Sequence, residues 1–126
     1  MADTLSSEPE TALDKVRALA LDLPETSEKL SHGQPTFFVA GRMFAQFRHD
    51  HHGDGRTIVA VKTAEEEDLA LIEAAPELYS RVAYFGRGWV GLAIGQPDTD
   101  WAHAGDRIAR SWELAAPASL LEAGGR

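Results

Sequence analysis

Residues 23–47 read LPETSEKLSHGQPTFFVAGRMFAQF, and this stretch joins the end of one helix to the start of a sheet. Pro24 ends the helical pattern that precedes it. Residues 36–47 are rich in aromatic and branched side chains, which favour β-strands. Gly41 lies within this run, and a glycine takes positive φ at little cost. We therefore predict a β-hairpin with a two-residue turn and Gly41 at the first turn position.

Period-two alternation distributes the hairpin side chains over the two faces of the sheet. One face is predicted to carry Phe37, Val39, Phe44 and Gln46, and the other to carry Phe38, Met43, Ala45 and Phe47. Both sets are mainly apolar, so alternation leaves open which face meets the helices.

Helical spacing of apolar residues predicts helices on both sides of the hairpin. The first covers about residues 8–22. The second covers about residues 64–74, where Thr63 and Glu66 have the spacing of a capping box.

A third helix follows Asp98 or Asp100, either of which can cap it, and ends at Pro117. Outside the hairpin, turn residues bound further segments with strand character at 57–62, 79–84 and 89–94. The order is then helix, two or three strands, helix, two strands, helix. This order predicts a single α+β domain at about residues 8–119, between tails at 1–7 and 120–126.

The composition is that of an ordinary globular domain of 126 residues, which is enough for one hydrophobic core. Its apolar runs fall far short of the roughly 20 residues of a membrane-spanning helix, so we expect no membrane partner. No basic n-region or apolar h-region follows Met1, which predicts a cytoplasmic protein. The absence of cysteine excludes disulfides, thiolate nucleophiles and cysteine-ligated metals.

The formal charge of −8 opposes generic binding to nucleic acid, but the charges are unevenly distributed. Residues 32–62 hold four bases and two acids, and residues 81–96 hold two bases and no acid. Residues 63–80, by contrast, hold six acids and no base. The predicted strands and hairpin loops are therefore net basic, whereas the predicted helices are acidic.

Short motifs spread in order along the chain give it a family resemblance. They are Leu23-Pro24-Glu25, Gly33, Pro35, Phe37, Val39, Gly41-Arg42, Phe44-Ala45, the 84–90 stretch with Gly86, Gly88 and Trp89, Trp112, Ala116-Pro117 and Leu120. With these residues the chain resembles the MmcQ/YjbR-like family of small bacterial proteins. The resemblance implies an antiparallel sheet with helices packed on one face, a shape similar to that of bacterial frataxin, and a DNA-binding role.

Arginines at the predicted hairpin tips and strand ends are the candidate DNA contacts, because such side chains can straddle phosphates. The selected residues are Arg42, Arg48, Arg56 and Arg87, and Lys62 and Arg81 belong to the same basic set. A non-enzymatic DNA-binding module that used them would bind weakly and lose affinity as salt rises. The alternative for these residues is a set of solvated strand ends that balances the acidic helices.

A second interpretation is a module that binds another protein or a small ligand on an open face of the sheet. Its candidate residues are Phe38 and Trp89, which would stack on a ligand, and His32, which could act as an acid, a base or an orienting group. The structural alternatives are core packing of the aromatic rings and a backbone hydrogen bond from His32.

A third interpretation is a metal-handling loop built from His49, His51 and His52 beside Asp50 and Asp54. Adjacent loop residues rarely converge on one ion, so we favour a solvated loop and predict no metal or other cofactor. No nucleophile with its base and no phosphate-binding loop stands out in the sequence. We therefore predict no catalytic residue and no enzyme activity.

Overall fold

A computed structural model describes residues 3–50, 53 and 55–122. This part of the chain contains six strands and four helices. In chain order they are α1 Asp3–Leu21, β1 Thr26–Ser31, β2 Gln34–Val39, β3 Arg42–His49, β4 Thr57–Lys62, α2 Glu67–Ala74, β5 Tyr79–Ser80, β6 Trp89–Ala93, α3 Trp101–Ala115 and α4 Ala118–Glu122.

The six strands form one sheet in the order β1-β2-β3-β4-β6-β5, and every neighbouring pair is antiparallel. Helix α3 packs across β3 and β4, and α1 packs beside α3 over β1 and β3. The predicted α+β class, with an antiparallel sheet and helices on one face, is therefore confirmed.

Strand β1 is absent from the sequence prediction. It pairs with β2 along its whole length, from Thr26 opposite Val39 to Ser31 opposite Gln34. Because β1 is an edge strand, its side chains stay largely solvated and its composition is that of a surface loop. The strand is defined by its partner rather than by its own hydrophobic pattern.

Two tight turns connect β1 to β2 and β2 to β3. His32 and Gly33 form the first turn, with φ of 54° and 80°, and Ala40 and Gly41 form the second, with φ of 49° and 83°. Positive φ at both central residues is the conformation of a type I′ turn, whose twist matches that of antiparallel strands. The prediction of Gly41 at the first turn position is wrong, because Ala40 precedes it in the left-handed conformation.

A β-bulge in β3 changes the face assignment of the hairpin. Met43 pairs with Phe38 but Ala45 pairs with Phe37, so Phe44 has no partner in β2. An extra residue in one strand shifts the side-chain alternation by one position. Every residue after the bulge therefore lies on the face opposite to the one that simple alternation predicts.

The hydrophobic core lies between the sheet and helices α1 and α3. Its fully buried side chains include Val16, Phe37, Phe44, Val59, Val61, Leu92, Ile108 and Trp112. Trp112 also donates a hydrogen bond of 2.9 Å from Nε1 to the carbonyl oxygen of Pro24. This bond ties the connection between α1 and β1 to the centre of the core.

Helix α2 begins at Glu67, later than predicted, and its capping differs from the predicted capping box. Glu66 adopts a left-handed conformation with φ of 64° and its side chain makes no capping hydrogen bond. The backbone N–H of Ala64 instead donates to Oε1 of Glu67 at 3.0 Å. The glutamate that reaches back is thus one position later than the sequence spacing indicates.

The remaining boundaries differ from the prediction mainly in length. Asp100 caps α3 as one of the two predicted candidates, and its Oδ1 accepts a hydrogen bond of 3.0 Å from the N–H of His103. Helix α1 begins within the predicted tail, and α4 follows directly after Pro117. Strand β5 stops at Ser80, because the residues after it fold back over the sheet.

Candidate functional site

The face of the sheet opposite α1 and α3, called the second face below, follows from the strand register. One row contains Ser27, Phe38 and Met43, and at the same end of the sheet Lys62 pairs with Trp89. The middle row contains Lys29, Thr36, Gln46, Ala60, Gly91 and Ser80, and the third contains Arg48, Ile58 and Ala93. Paired residues of antiparallel strands point to the same side, so these side chains share one surface.

The strand positions of the second face are basic. They include three cations, Lys29, Arg48 and Lys62, and no carboxylate. The whole chain carries a formal charge of −8, so these strand positions have the opposite sign from the chain as a whole. Lys29 and Lys62 project from strand positions among which there is no carboxylate, and this arrangement raises the local potential.

Each cation of the second face lies over an aromatic ring. The Nζ of Lys29 is 4.8 Å from the centroid of Phe38, and the Nζ of Lys62 is 5.0 Å from that of Trp89. Such contacts are favourable because a ring carries partial negative charge on its face. The surface therefore offers ammonium groups and aromatic rings side by side.

Beneath these groups runs a chain of buried hydrogen bonds. Arg48 donates from Nε to Oε1 of Gln46 at 2.8 Å, and Gln46 donates from Nε2 to Oγ1 of Thr36 at 2.9 Å. The hydroxyl of Thr36 in turn donates to the carbonyl oxygen of Gln34 at 2.9 Å. All three donor side chains are buried, so the chain of bonds fixes their rotamers.

Residues 81–88, which connect β5 to β6, fold back over part of the second face. Phe85 lies with its ring centroid 4.7 Å from Cζ of Arg48 and packs edge-on against Trp89, with 4.9 Å between the ring centroids. Val82 is buried beside it. The loop thus forms a small second layer over β4 and β6.

Asp68 in the first turn of α2 anchors this loop. Its Oδ2 accepts hydrogen bonds from Nε of Arg87 at 2.9 Å, from the N–H of Gly88 at 2.9 Å and from Nη1 of Arg81 at 3.1 Å. These bonds, above all the one from Arg87, hold the pKa of the buried Asp68 carboxyl well below its usual range. Asp68 thus remains ionised and holds both ends of the loop at neutral pH.

The four arginines selected from the sequence do not form one patch. Arg42 lies on the helix-covered face and donates from Nη1 to the carbonyl oxygen of Ala115 at 3.4 Å. Arg87 binds Asp68, and Arg48 is buried on the second face. Arg56 is exposed in the loop between β3 and β4.

The residues selected for an open sheet face are partly brought together. Phe38 and Trp89 both lie on the second face and are half-buried, each with a lysine over its ring. His32 lies at the other end of β2, in the exposed turn, where its Nδ1 is 3.4 Å from Oγ of Ser31. His32 is therefore separate from the aromatic pair.

Lys29 and Asp68 were missed as site residues by the sequence interpretation. The alternation of β1 is the signal that could have placed Lys29 beside Phe38, once β1 was recognised as a strand. Asp68 has no local signal, because its partners Arg81, Arg87 and Gly88 follow it by 13, 19 and 20 residues.

The histidine-rich loop lies partly outside the described residues, which exclude His51, His52 and Asp54. His49 has Nδ1 at 2.8 Å from Oγ1 of Thr57, and Asp50 accepts a hydrogen bond of 2.6 Å from the N–H of Gly55. Among residues 3–50, 53 and 55–122, no group of three or more histidine, aspartate or glutamate side chains could hold a metal ion.

The chain was compared with protein families, with curated proteins and with solved structures. A family model described as YjbR matches residues 21–114. The crystal structure of a Deinococcus radiodurans protein with a DUF419 domain superposes with a TM-score of 0.70 at 19% identity, covering 91% of this chain and 89% of that one. A search of curated proteins finds no match. In the described part of the chain, no helix has both the length and the hydrophobicity needed to cross a bilayer.

Proposed function

The chain belongs to the YjbR family, and from this premise we propose that it is a non-enzymatic module that binds single-stranded nucleic acid on the second face of its sheet. The observation that carries the proposal is the pair Lys29 and Lys62 on a face whose strand positions hold no carboxylate, in a chain with formal charge −8. A basic face on a protein that is acidic as a whole favours a polyanion as the partner of that face.

Lys29 and Lys62 are the phosphate contacts in this proposal. Both project from strands of the second face, and their ammonium groups rest on aromatic rings rather than on carboxylates. A lysine that leaves a ring for a phosphate therefore breaks no ion pair. The resulting contacts are electrostatic and weaken as salt rises.

Phe38 and Trp89 are the base contacts. They lie on β2 and β6, three strand spacings apart, which corresponds to about 14 Å. When each lysine turns to a phosphate, the ring face beneath it becomes available to a base. Stacking of this kind requires unpaired bases, which is why the proposal specifies single strands rather than duplex.

The second face is assigned a binding role and no catalytic step. At its centre the hydroxyl of Thr36 and the amide of Gln46 are engaged, since Thr36 donates to Gln34 and accepts from Gln46. A nucleophile would need a neighbouring base, and the strand positions of this face contain neither a histidine nor a carboxylate.

Fluorescence anisotropy with a labelled 20-nucleotide single strand and the matching duplex, at low and moderate salt, tests the proposal. We expect the single strand to bind more tightly than the duplex, and Lys62→Glu to weaken binding about tenfold or more at low salt. Phe38→Ala should weaken binding to the single strand by about tenfold, because one stacking contact is lost.

The matched control is Arg110→Glu, which makes the same charge change at an exposed position of α3 on the other side of the sheet. It should leave binding nearly unchanged. No binding of either nucleic acid at low salt, or equal losses in Lys62→Glu and Arg110→Glu, would remove the proposal. Binding of another partner that is lost in Phe38→Ala but insensitive to salt would favour the protein- or small-ligand interpretation.

A further inference from the structure

We propose that the single strand crosses the sheet from β1 to β6, at a right angle to the β-strands, and that its footprint is three nucleotides with Met43 beneath the middle base. This inference rests on the proposed function and deepens it, because it gives the length of oligonucleotide that the second face holds. It adds Met43 to the two aromatic rings as a third base contact.

The groups assigned to binding lie in one row across the sheet. The row contains Phe38 on β2, Met43 on β3, Lys62 on β4 and Trp89 on β6, which are four consecutive strands. Lys29 on β1 reaches the row with its ammonium group, which is 4.8 Å from the centroid of Phe38. A ligand that contacts all of these residues must therefore run across the strands rather than along them.

The adjacent row of the second face offers no further base contact. Thr36 is fully buried and Gln46 is 3% exposed, and the two side chains are hydrogen-bonded to each other. Ala60 and Gly91 continue that row, and neither has a side chain that could stack on a base. A single strand that ran along β2 from Phe38 would therefore reach no second ring on this face.

The separation of the two rings sets the length of the footprint. Phe38 and Trp89 are three strand spacings apart, or about 14 Å. Stacked nucleotides rise by about 3.4 Å per step, and a strand with unstacked bases extends to roughly twice that value. Two extended steps therefore cover the distance. The first and third bases occupy the rings, and one base remains between them.

Met43 lies at the position of this middle base. It is half-buried on β3 and pairs with Phe38 on the second face. A thioether is polarizable and makes favourable contacts with aromatic rings, but these contacts are weaker than stacking of a base on an aromatic side chain. The middle base is therefore held less tightly than the two outer bases.

The two lysines match the phosphates of such a trinucleotide. Lys62 lies on β4, between Met43 and Trp89, where the phosphate joining the second and third nucleotides would pass. Lys29 lies on the edge strand β1, beyond Phe38, so its partner is a phosphate on the outer side of the first base. A trinucleotide with a terminal phosphate on that side contacts both ammonium groups.

The first test measures affinity against length by NMR titration of the isotope-labelled protein at low salt. The probes are oligothymidylates of two, three, four and six nucleotides with phosphate at both ends. We expect about a tenfold gain from two to three nucleotides, because only the longer probe reaches both rings. From three to six the gain should be about fourfold or less, since longer probes add only binding registers and distant charge. A gain per nucleotide that continues unchanged to six would overturn the footprint.

The second test combines length with a substitution. Phe38→Ala should weaken binding of the trinucleotide about tenfold but that of the dinucleotide only about twofold, because the shorter probe can still bind at Met43 and Trp89. The matched control is Leu30→Ala, at an exposed position of β1 on the other face of the sheet, which should leave both affinities unchanged. Equal losses for the two probes in Phe38→Ala would contradict the inference.

The third test leaves the protein unchanged and replaces one base of the trinucleotide at a time by an abasic site. Loss of either outer base should weaken binding about tenfold, and loss of the middle base about threefold or less. A middle base that costs as much as an outer one would remove the assignment of Met43. If the wild-type protein binds no single strand of any length, the proposed function and this inference are both wrong. If it binds long strands but fails any of the three tests, only the inference is overturned.

Discussion

Both faces of the sheet contain buried side chains, but different chemistry buries them. On the helix-covered face, Phe37 and Val59 are fully buried among other apolar groups. On the second face, Thr36, Gln46 and Arg48 are buried through hydrogen bonds to one another. Burial of apolar groups contributes a large favourable free energy that depends little on orientation. Hydrogen bonds, by contrast, require a fixed geometry. The first face therefore contributes most of the stability, and the second positions chemical groups.

The largest expected difference between the faces is in stability. Trp112→Ala should lower the free energy of unfolding by about 3–5 kcal/mol, because it leaves a cavity in the core and removes the bond to Pro24. Phe38→Ala on the second face should cost only about 1 kcal/mol, since its ring is half-buried. Urea denaturation measures both values, and equal losses would contradict the division of roles.

The next effect concerns the anchor of the loop. Asp68→Asn should lower Tm by roughly 5–10 °C at pH 7, because the amide cannot replace an ionised acceptor of several hydrogen bonds. The control Asp14→Asn, at an exposed carboxylate of α1, should change Tm by less than about 2 °C.

The same carboxylate gives a prediction for pH. Its pKa is lowered in the folded protein, so its contribution to stability is complete above the unfolded pKa of about 4 and is lost as pH falls toward the folded value. The difference in Tm between wild type and Asp68→Asn should therefore shrink below about pH 4. A difference that grew in acid would mean that another group anchors the loop.

A smaller effect distinguishes two glycines that lie on opposite sides of the sheet. In Gly91→Ala, the new Cβ would lie 2.8 Å from Cδ1 of Ile58 and 3.3 Å from Oγ of Ser80. We expect a loss of about 1–2 kcal/mol and a looser loop over Arg48. In Gly105→Ala within α3, the nearest atom is Cδ2 of Leu19 at 3.2 Å, and the gain in helix propensity of up to about 1 kcal/mol should offset that contact. Thermal unfolding compares the pair directly.

The smallest expected effect is that of Arg42→Gln. Arg42 makes a hydrogen bond of 3.4 Å to Ala115 from an exposed position on the helix-covered side, so its loss should cost less than about 0.5 kcal/mol. It should also leave nucleic-acid binding unchanged, whereas Lys62→Gln should reduce the salt slope by about 0.7. A reduced slope in Arg42→Gln would place the binding surface on the other side of the sheet.

Local patterns predicted the elements whose signal is carried by their own residues. The hairpin around Gly41, the strand at 57–62 and a final helix capped by Asp100 all follow from propensity and capping chemistry. Strand β1 was not predicted, because its polar side chains remain solvated at the sheet edge. The bulge at Phe44 was not predicted either, because one residue without a partner in β2 does not change the local composition.

Only part of the candidate site could be predicted from the sequence, for the same reason. Phe38 and Trp89 could be selected as aromatic residues, but their shared face depends on the register of four strands. The interpretation of Arg42 and Arg48 as one basic set overlooked the bulge, which turns them to opposite faces. Arg87 also looked available because its partner Asp68 is distant in the chain.

Composition and periodicity, read along the chain, were sufficient for the fold class, the family resemblance and the concentration of basic residues in the strands. The folded chain was needed to show which cations share a surface, which are neutralised, and that Arg48 lies under Phe85. The physical reason is that side-chain periodicity is a short-range property of the backbone. Strand register and ion pairing, by contrast, join residues that are far apart in sequence.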